Sequence, residues 1–286
     1  MSFWLIQSLN SLALGGVLFT LAAGFSLIFG LMRIANLSHG AYFMLGAYVG
    51  LSMLVRGHGF VVAMLTAAIA VALLGAIVER LILRRLAGDS LGQVLATLGI
   101  AFVIADFSLW LWGGDPQSVS PPEMLDGAAH IFGLVFPLYR LAVLVFAIVL
   151  AILLWLLLDK TRLGMMIRAS VDDMQMARGI GVPSSRLFTI VFCLGAGLAG
   201  LGGVVAAPIL SVYPGLDADM LPLALVVVIL GGLGSLAGAF AGSIAIGFIY
   251  SFGQALFPDL AYIILFLPMV VILAVRPRGL FGRITA

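Results

Sequence analysis

Apolar positions run along this chain in long, nearly uninterrupted stretches and do not alternate with polar ones. Breaking the sequence at charged residues and at Gly/Pro clusters leaves nine such stretches. Because lipid offers no hydrogen-bond partner to open backbone groups, and the alternation typical of barrel strands is absent, each stretch predicts a helix. The stretches are 3–30, 34–55, 60–78, 91–112, 141–158, 187–207, 221–233, 236–257 and 260–275.

Two of the stretches make the number of membrane crossings uncertain. The first contains Gly15, Gly16 and Gly24 and is longer than one straight span requires. Stretch 221–233 would reach only about 20 Å, short of a hydrocarbon core about 30 Å thick. We therefore predict an all-α, polytopic membrane protein with about eight to nine helical segments, some of them broken or short.

The composition excludes a soluble enzyme. Of the 286 residues, 63% are hydrophobic and 9% are charged, whereas soluble domains carry roughly 25% charged side chains. We expect residues 1–286 to form a single transmembrane domain. The first stretch has no basic leader and is too long for a signal-peptide core, so it is not expected to be cleaved.

Basic residues predict the orientation, because Lys and Arg favour cytoplasmic loops. An alternating chain with its C-terminus inside and its N-terminus outside leaves only Arg56 and Arg140 on the outer face. Loop 113–139, which lacks Lys and Arg, is then periplasmic, and 159–186 is the longest cytoplasmic connection. The inner face would hold Arg33, Arg80, Arg84, Arg85, Lys160, Arg162, Arg168, Arg178, Arg186, Arg276, Arg278 and Arg283.

The cytoplasmic connection contains the pattern of a short amphipathic helix. Ser170 and Asp173 have the spacing of a capping box, and Gly179 is placed to end the helix. A helix of about two turns is not stable alone. It either rests on lipid headgroups or docks onto a partner protein. One side would carry Val171, Met174 and Ala177, and the other Asp172, Asp173 and Arg178.

Two polar or glycine-rich segments are candidates for a transport path. Asn36, Ser38 and His39, followed by Gly40, lie beside the turn after the first stretch, where they would cap the next helix or line a path for a polar solute. The second segment allows broken helices and close backbone approach, which indicates either a transport site or plain close packing. It comprises Gly231, Gly232, Gly234 and Ser235.

Enzyme signatures are missing. The only lysine, Lys160, does not follow a phosphate-binding glycine loop. The three histidines are widely separated, and Cys193 is the single cysteine, which argues against a zinc site. We therefore expect no catalysis and no cofactor in this chain, and the net charge of +2 gives no reason to expect nucleic acid as a partner.

Several motifs, in order along nearly the whole chain, resemble the LivH-type permeases of branched-chain amino acid ABC importers. They are Asn36-Leu-Ser-His-Gly, Met44-Leu-Gly-Ala-Tyr, the loop Gly164 to Gly181 with Arg168-Ala and Gly179-Ile-Gly, the run Leu230-Gly-Gly-Leu-Gly-Ser-Leu-Ala-Gly-Ala, and the tail Arg276-Pro-Arg-Gly-Leu-Phe-Gly.

The resemblance implies a multi-pass subunit of the bacterial inner membrane. It implies pairing with a LivM-type second permease, two cytoplasmic ATPases that bind ATP and Mg, and a periplasmic solute-binding protein. It also implies that residues 170–181 form a coupling helix that docks onto an ATPase. The expected coupling residues are Arg168, Ser170, Asp173, Met174, Ala177, Arg178, Gly179 and Gly181.

One departure from the family leaves the cargo open. Many members carry an acidic residue after the His-Gly pair, where this chain has Ala41. Branched-chain or other hydrophobic amino acids remain the expected cargo, with urea, short amides or aromatic carboxylates as alternatives. A self-contained secondary transporter or channel would need intramembrane charges, for which Asp106 is the candidate. A purely structural membrane subunit is a further alternative.

Overall fold

The structure, a computed structural model, describes residues 2–131, 134–276 and 279–281. Its regular elements are helices and one small hairpin, β1 (Ala128–Ile131) and β2 (Leu134–Pro137), in the predicted periplasmic loop. The predicted all-α, polytopic fold is confirmed. Of the predicted inner-face arginines, Arg278 and Arg283 lie outside the described residues.

The helices are α1 (Ser2–Met32), α2 (His39–Val55), α3 (Phe60–Leu81), α4 (Ser90–Trp112), α5 (Leu138–Lys160), α6 (Arg162–Asp172), α7 (Met174–Gly179), α8 (Ser184–Leu210), α9 (Leu216–Gly231), α10 (Leu236–Leu256) and α11 (Ala261–Val275).

Each of the nine apolar stretches coincides with a helix. Six helices in the described chain, α1, α3, α4, α5, α8 and α10, are long and apolar enough to cross a membrane, and α2 and α11 are shorter apolar helices. The first stretch is one continuous helix, since its glycines serve close packing and do not break it. A Cβ at Gly15 would lie 3.0 Å from the side chain of Ile244 on α10.

Helices α1 and α8 form the centre of the molecule, and α3, α4 and α5 surround it with one face turned outward. Most of the apolar length of α1 and α8 is buried, compared with about a quarter in the three outer helices. Glycines make the centre compact, because a helix without side chains at the crossing point approaches its neighbour closely. At Gly200, for example, a Cβ would lie 2.8 Å from the side chain of Val71 on α3.

Two helix starts differ from the prediction by five residues. Helix α9 begins at Leu216, five residues earlier than expected, because Asp217 and Asp219 lie in its first turn and do not interrupt the helix. Gly215, with φ of 103°, forms the left-handed turn that precedes it. Helix α2 begins only at His39, since residues 33–38 are not helical.

The predicted capping box is wrong. Ser170 lies inside α6 and is buried, and its hydroxyl does not cap a helix. Asp173 has an extended conformation between α6 and α7, and its carboxylate accepts the backbone N–H groups of Gln175 and Met176 at 2.8 and 2.9 Å. Gly179 is the last residue of α7, as expected, and Gly181 turns the chain with φ of 92°.

Candidate functional site

A non-helical segment lies deep inside the helix bundle between α1 and α2. At its end, Nε2 of His39 is 2.9 Å from the carbonyl oxygen of Leu21. Leu21 precedes the end of α1 at Met32 by eleven residues, which places His39 about 16 Å from that end by helical rise. Asn36, Ser38 and His39 are all fully buried. Open backbone at such a depth is tolerated because protein covers it.

The polar cluster of Asn36, Ser38 and His39 stabilises the turn by hydrogen bonds and also contains side-chain nitrogens that have no partner in the described structure. The side-chain oxygen of Asn36 accepts the backbone N–H of Ser38 at 3.1 Å and its hydroxyl at 2.6 Å. This supports the capping interpretation for Asn36. However, Nδ2 of Asn36 and Nδ1 of His39 are buried with no hydrogen-bond partner in the described structure. Since buried polar atoms are usually paired, these two nitrogens are available to a polar solute or water.

The first turn of α9 packs against Gly40, the residue that follows this cluster. A Cβ at Gly40 would lie 2.5 Å from the carbonyl oxygen of Asp217 and 2.9 Å from Cβ of Leu221, so glycine is needed where the two helices meet. The same turn carries Asp219, whose carboxylate accepts the hydroxyl of Tyr213 at 2.6 Å. The sequence prediction missed both aspartates. Two acidic residues within four positions after Pro214-Gly215 were the available signal, since carboxylates favour a helix N-terminus.

An open cavity of about 560 Å³ lies on the other side of this turn. Its walls come from the predicted outer ends of α1, α5, α8, α9 and α10 and from the first half of α11. Arg140 and Asp219 both line it, and the guanidinium of Arg140 donates to the side-chain oxygen of Asn10. The turn of α9 thus separates an outer cavity from the buried polar cluster.

The glycine turn before α10 packs closely against neighbouring backbone. The hydroxyl of Ser235 accepts the backbone N–H of Gly238 at 3.0 Å and caps the helix. Gly232 and Gly234 both have positive φ, and a Cβ at Gly234 would lie 2.8 Å from Cα of Gly30. A Cβ at Gly231 would meet the backbone of Gly238. No described hydrogen bond joins this turn to the polar cluster, so its role in a path remains a prediction.

The predicted coupling segment has an inner and an outer side. Ala177 is buried and Met174 is half-buried, on the inner side, as the amphipathic pattern predicted. Met176 and Ile180 are 65% and 71% exposed. Arg178 is also exposed and donates to the hydroxyl of Ser184 at 3.1 Å.

Arg168 supports the start of this segment. Its guanidinium donates to the carbonyl of Leu158 at the end of α5 and forms an ion pair with Asp159 at 3.3 Å. A partner could therefore contact the exposed residues of α7, while Arg168, Ser170 and Ala177 hold the segment against the membrane domain.

Comparison with known proteins gives one fold neighbour and several relatives. The solved structure of PsaBC from Streptococcus pneumoniae in complex with Fab matches with a TM-score of 0.52 and 17% identity, over 93% of this chain and 89% of that chain. This likeness concerns the fold alone. The autoinducer 2 import system permease protein LsrC of Salmonella paratyphi B is 31% identical over 157 residues, 52% of this chain and 44% of LsrC.

Two further relatives match at full length. The high-affinity branched-chain amino acid transport system permease protein BraD of Pseudomonas aeruginosa is 25% identical over 98% of this chain and 96% of BraD. LivH of Escherichia coli K12 is 24% identical over the same shares. A family model described as branched-chain amino acid transport system / permease component matches residues 7–273. The chain therefore belongs to this family of ABC importer permeases, non-catalytic membrane subunits whose transport systems include ATPases and a binding protein.

Proposed function

We propose that this subunit moves branched-chain or other hydrophobic amino acids from the periplasm to the cytoplasm by alternating access. The observation that carries the proposal is the position of the α9 first turn between the outer cavity and the polar cluster of Asn36, Ser38 and His39. The turn that lines the cavity packs against Gly40, next to His39, whose Nδ1 is buried without a hydrogen-bond partner in the described structure. Movement of this turn would open the way inward. The full-length relatives BraD and LivH support the amino acid cargo.

The complete transporter in this proposal contains a LivM-type second permease, two cytoplasmic ATPases with ATP and Mg, and a solute-binding protein, in the bacterial inner membrane. The outward faces of α3, α4 and α5 carry exposed large apolar side chains, as contact with lipid or another permease requires. Asp106 is exposed on α4 and does not line the cavity. The candidate charge for an ion-coupled carrier is therefore outside the proposed path.

The proposal is tested by uptake into proteoliposomes that contain both permeases and both ATPases, with the binding protein added outside. We expect ATP-dependent uptake of radiolabelled leucine, isoleucine or valine. Urea, acetamide and benzoate serve as competing cargoes in the same preparation. ATP-dependent uptake of one of these and not of the amino acids would contradict the proposed cargo, and uptake by this chain alone without ATP would contradict the importer mechanism.

A further inference from the structure

We propose that the outer cavity is a binding site for the zwitterionic head group of a free amino acid, with Arg140 holding the carboxylate and Asp219 the ammonium group. The proposal rests on the proposed function, because it identifies the transported solute with the ligand of this cavity. The two charges have opposite sign and line the same 560 Å³ space. Neither forms an ion pair within the described structure.

Arg140 has donors to spare. It lies half-buried in the first turn of α5, and its Nη1 donates to the side-chain oxygen of Asn10. A guanidinium carries five N–H donors in a fixed planar arrangement. The bond to Asn10 is the one described hydrogen bond of the Arg140 guanidinium. The geometry of a guanidinium matches both oxygens of a carboxylate. Asn10 fixes one side of the group and leaves the remaining donors for a ligand.

Asp219 provides the opposite charge. Its carboxylate accepts the hydroxyl of Tyr213 at 2.6 Å, which orients it and uses one of its acceptor sites. A carboxylate has about four such sites, so an ammonium group can still bind.

The rest of the wall suits an aliphatic side chain. Buried or half-buried apolar residues from α1, α8, α9 and α11 line the cavity, whose volume is within the range of about 300–1,000 Å³ that small-molecule sites usually have. They include Leu14, Ile209, Leu210, Met220, Leu223 and Phe266.

This arrangement discriminates among the possible cargoes. Urea and short amides are neutral, so they would give neither Arg140 nor Asp219 an opposite charge to pair with. An aromatic carboxylate would engage Arg140 but would bring a second negative charge near Asp219. An amino acid neutralises both. The carboxylate that the sequence lacks at Ala41 is thus supplied from α9, whose first turn packs against the neighbouring Gly40.

The test is equilibrium binding of radiolabelled leucine to the permease–ATPase complex in nanodiscs, without the binding protein, for the Arg140→Gln and Asp219→Asn variants. We expect the Kd to rise about tenfold or more in each variant, since each loses one charged hydrogen-bonding partner. Matched controls are Arg56→Gln and Asp115→Asn, which remove exposed charges on the same face outside the cavity. Their Kd should equal that of the wild type.

Ligand analogues separate recognition from a structural effect. Leucinamide lacks the carboxylate and 4-methylpentanoate lacks the ammonium group. In the wild type, both should bind about tenfold or more weakly than leucine. In Arg140→Gln the preference for leucine over leucinamide should disappear while the preference over 4-methylpentanoate remains. Asp219→Asn should show the reverse. Arg140→Lys and Asp219→Glu keep the charges and should retain part of the affinity, which provides measurable variants if the neutral ones do not assemble.

The possible failures are distinguishable. If the wild-type complex takes up no amino acid in the proteoliposome assay, the proposed function is wrong. If it takes up leucine but binds none without the binding protein, or if the cavity variants bind leucine and both analogues as the wild type does, the cavity is not the head-group site although the function stands.

Discussion

Glu79 carries the most deeply buried carboxylate in the described structure, at the inner end of α3, with 1% of its surface exposed. Arg84 forms an ion pair with it at 3.3 Å, and the hydroxyl of Thr189 on α8 donates to it at 2.6 Å. Arg84 also donates to the carbonyl of Ser185 at 2.9 Å. The group therefore ties the end of α3 to the first turns of α8, directly after the coupling segment.

We predict that Glu79→Ala lowers the free energy of unfolding by about 2–3 kcal/mol. Removing the carboxylate leaves its donors, Arg84 and Thr189, without this hydrogen-bond acceptor in a buried site. The value is at the lower end for a buried pair, since Arg84 is 42% exposed and water can solvate it. The control is Asp159→Ala, which breaks an exposed pair with Arg168 and should cost less than about 1 kcal/mol. Unfolding of the detergent-solubilised complex measures both, and equal losses would contradict the prediction.

Individual functional residues were only partly predictable from the sequence. Asn36, Ser38 and His39 could be singled out, because polar side chains are conspicuous beside long apolar runs. Asp217 and Asp219 are missed when charges are taken to mark the ends of helices, and only the turn signal Pro214-Gly215 before them indicates a helix N-terminus. Thr189, one partner of Glu79, lies 110 residues further along the chain. Only the packing of α3 against α8 brings the two residues together.

At the scale of elements, the apolar helices are predicted better than the two short cytoplasmic helices α6 and α7. The bounds of α4 and α10 differ from the prediction by one residue, since membrane thickness sets a minimum length and apolar residues fill it. No such constraint acts on α6 and α7. Their boundary lies at Asp173, whose carboxylate caps α7, while the hydroxyl of Ser170 has no hydrogen-bond partner in the described structure, and the three-residue spacing alone does not decide between the two residues.

The exposed side of α7 is where we expect a cytoplasmic partner to dock. Met176 and Ile180 are large apolar residues in contact with solvent, whereas Ala177 is buried. An acidic residue at Ala177 would therefore disturb folding before it could report on docking. The informative positions are the exposed ones, because burying them against an ATPase removes apolar surface from water.

We predict that Met176→Asp or Ile180→Asp abolishes co-purification with the ATPases and leaves membrane insertion unchanged, because each puts a charge into an apolar contact. The matched control is Met124→Asp, since Met124 is 92% exposed in the predicted periplasmic loop and should retain the ATPases. Pull-down from detergent extracts measures the outcome. If ATPase recovery is unchanged in both Met176→Asp and Ile180→Asp, this surface is not the docking site and the helix instead rests on lipid headgroups.

At the scale of the whole molecule, basic residues divide between two opposite ends of the bundle. In the described structure, Arg80, Arg84 and Arg85 gather at the end of α3, and the residues between α5 and α8 lie with them at the same end of the bundle. Arg56 and Arg140 lie at the other ends of α2 and α5. This asymmetry predicts that the cavity with Arg140 faces the periplasm and that α6 and α7 face the cytoplasm.

Labelling of single cysteines tests this orientation, because Cys193 is the only cysteine and Cys193→Ala gives an unreactive background. We expect His58→Cys and Met124→Cys to react with a membrane-impermeant maleimide added to intact spheroplasts. Arg85→Cys and Ala87→Cys should react only after the membrane is permeabilised. All four positions are exposed, so a difference in labelling reports the side of the membrane and not burial. The opposite pattern would place the cavity in the cytoplasm, where it could not receive solute from a periplasmic binding protein, and the importer direction itself would then be wrong.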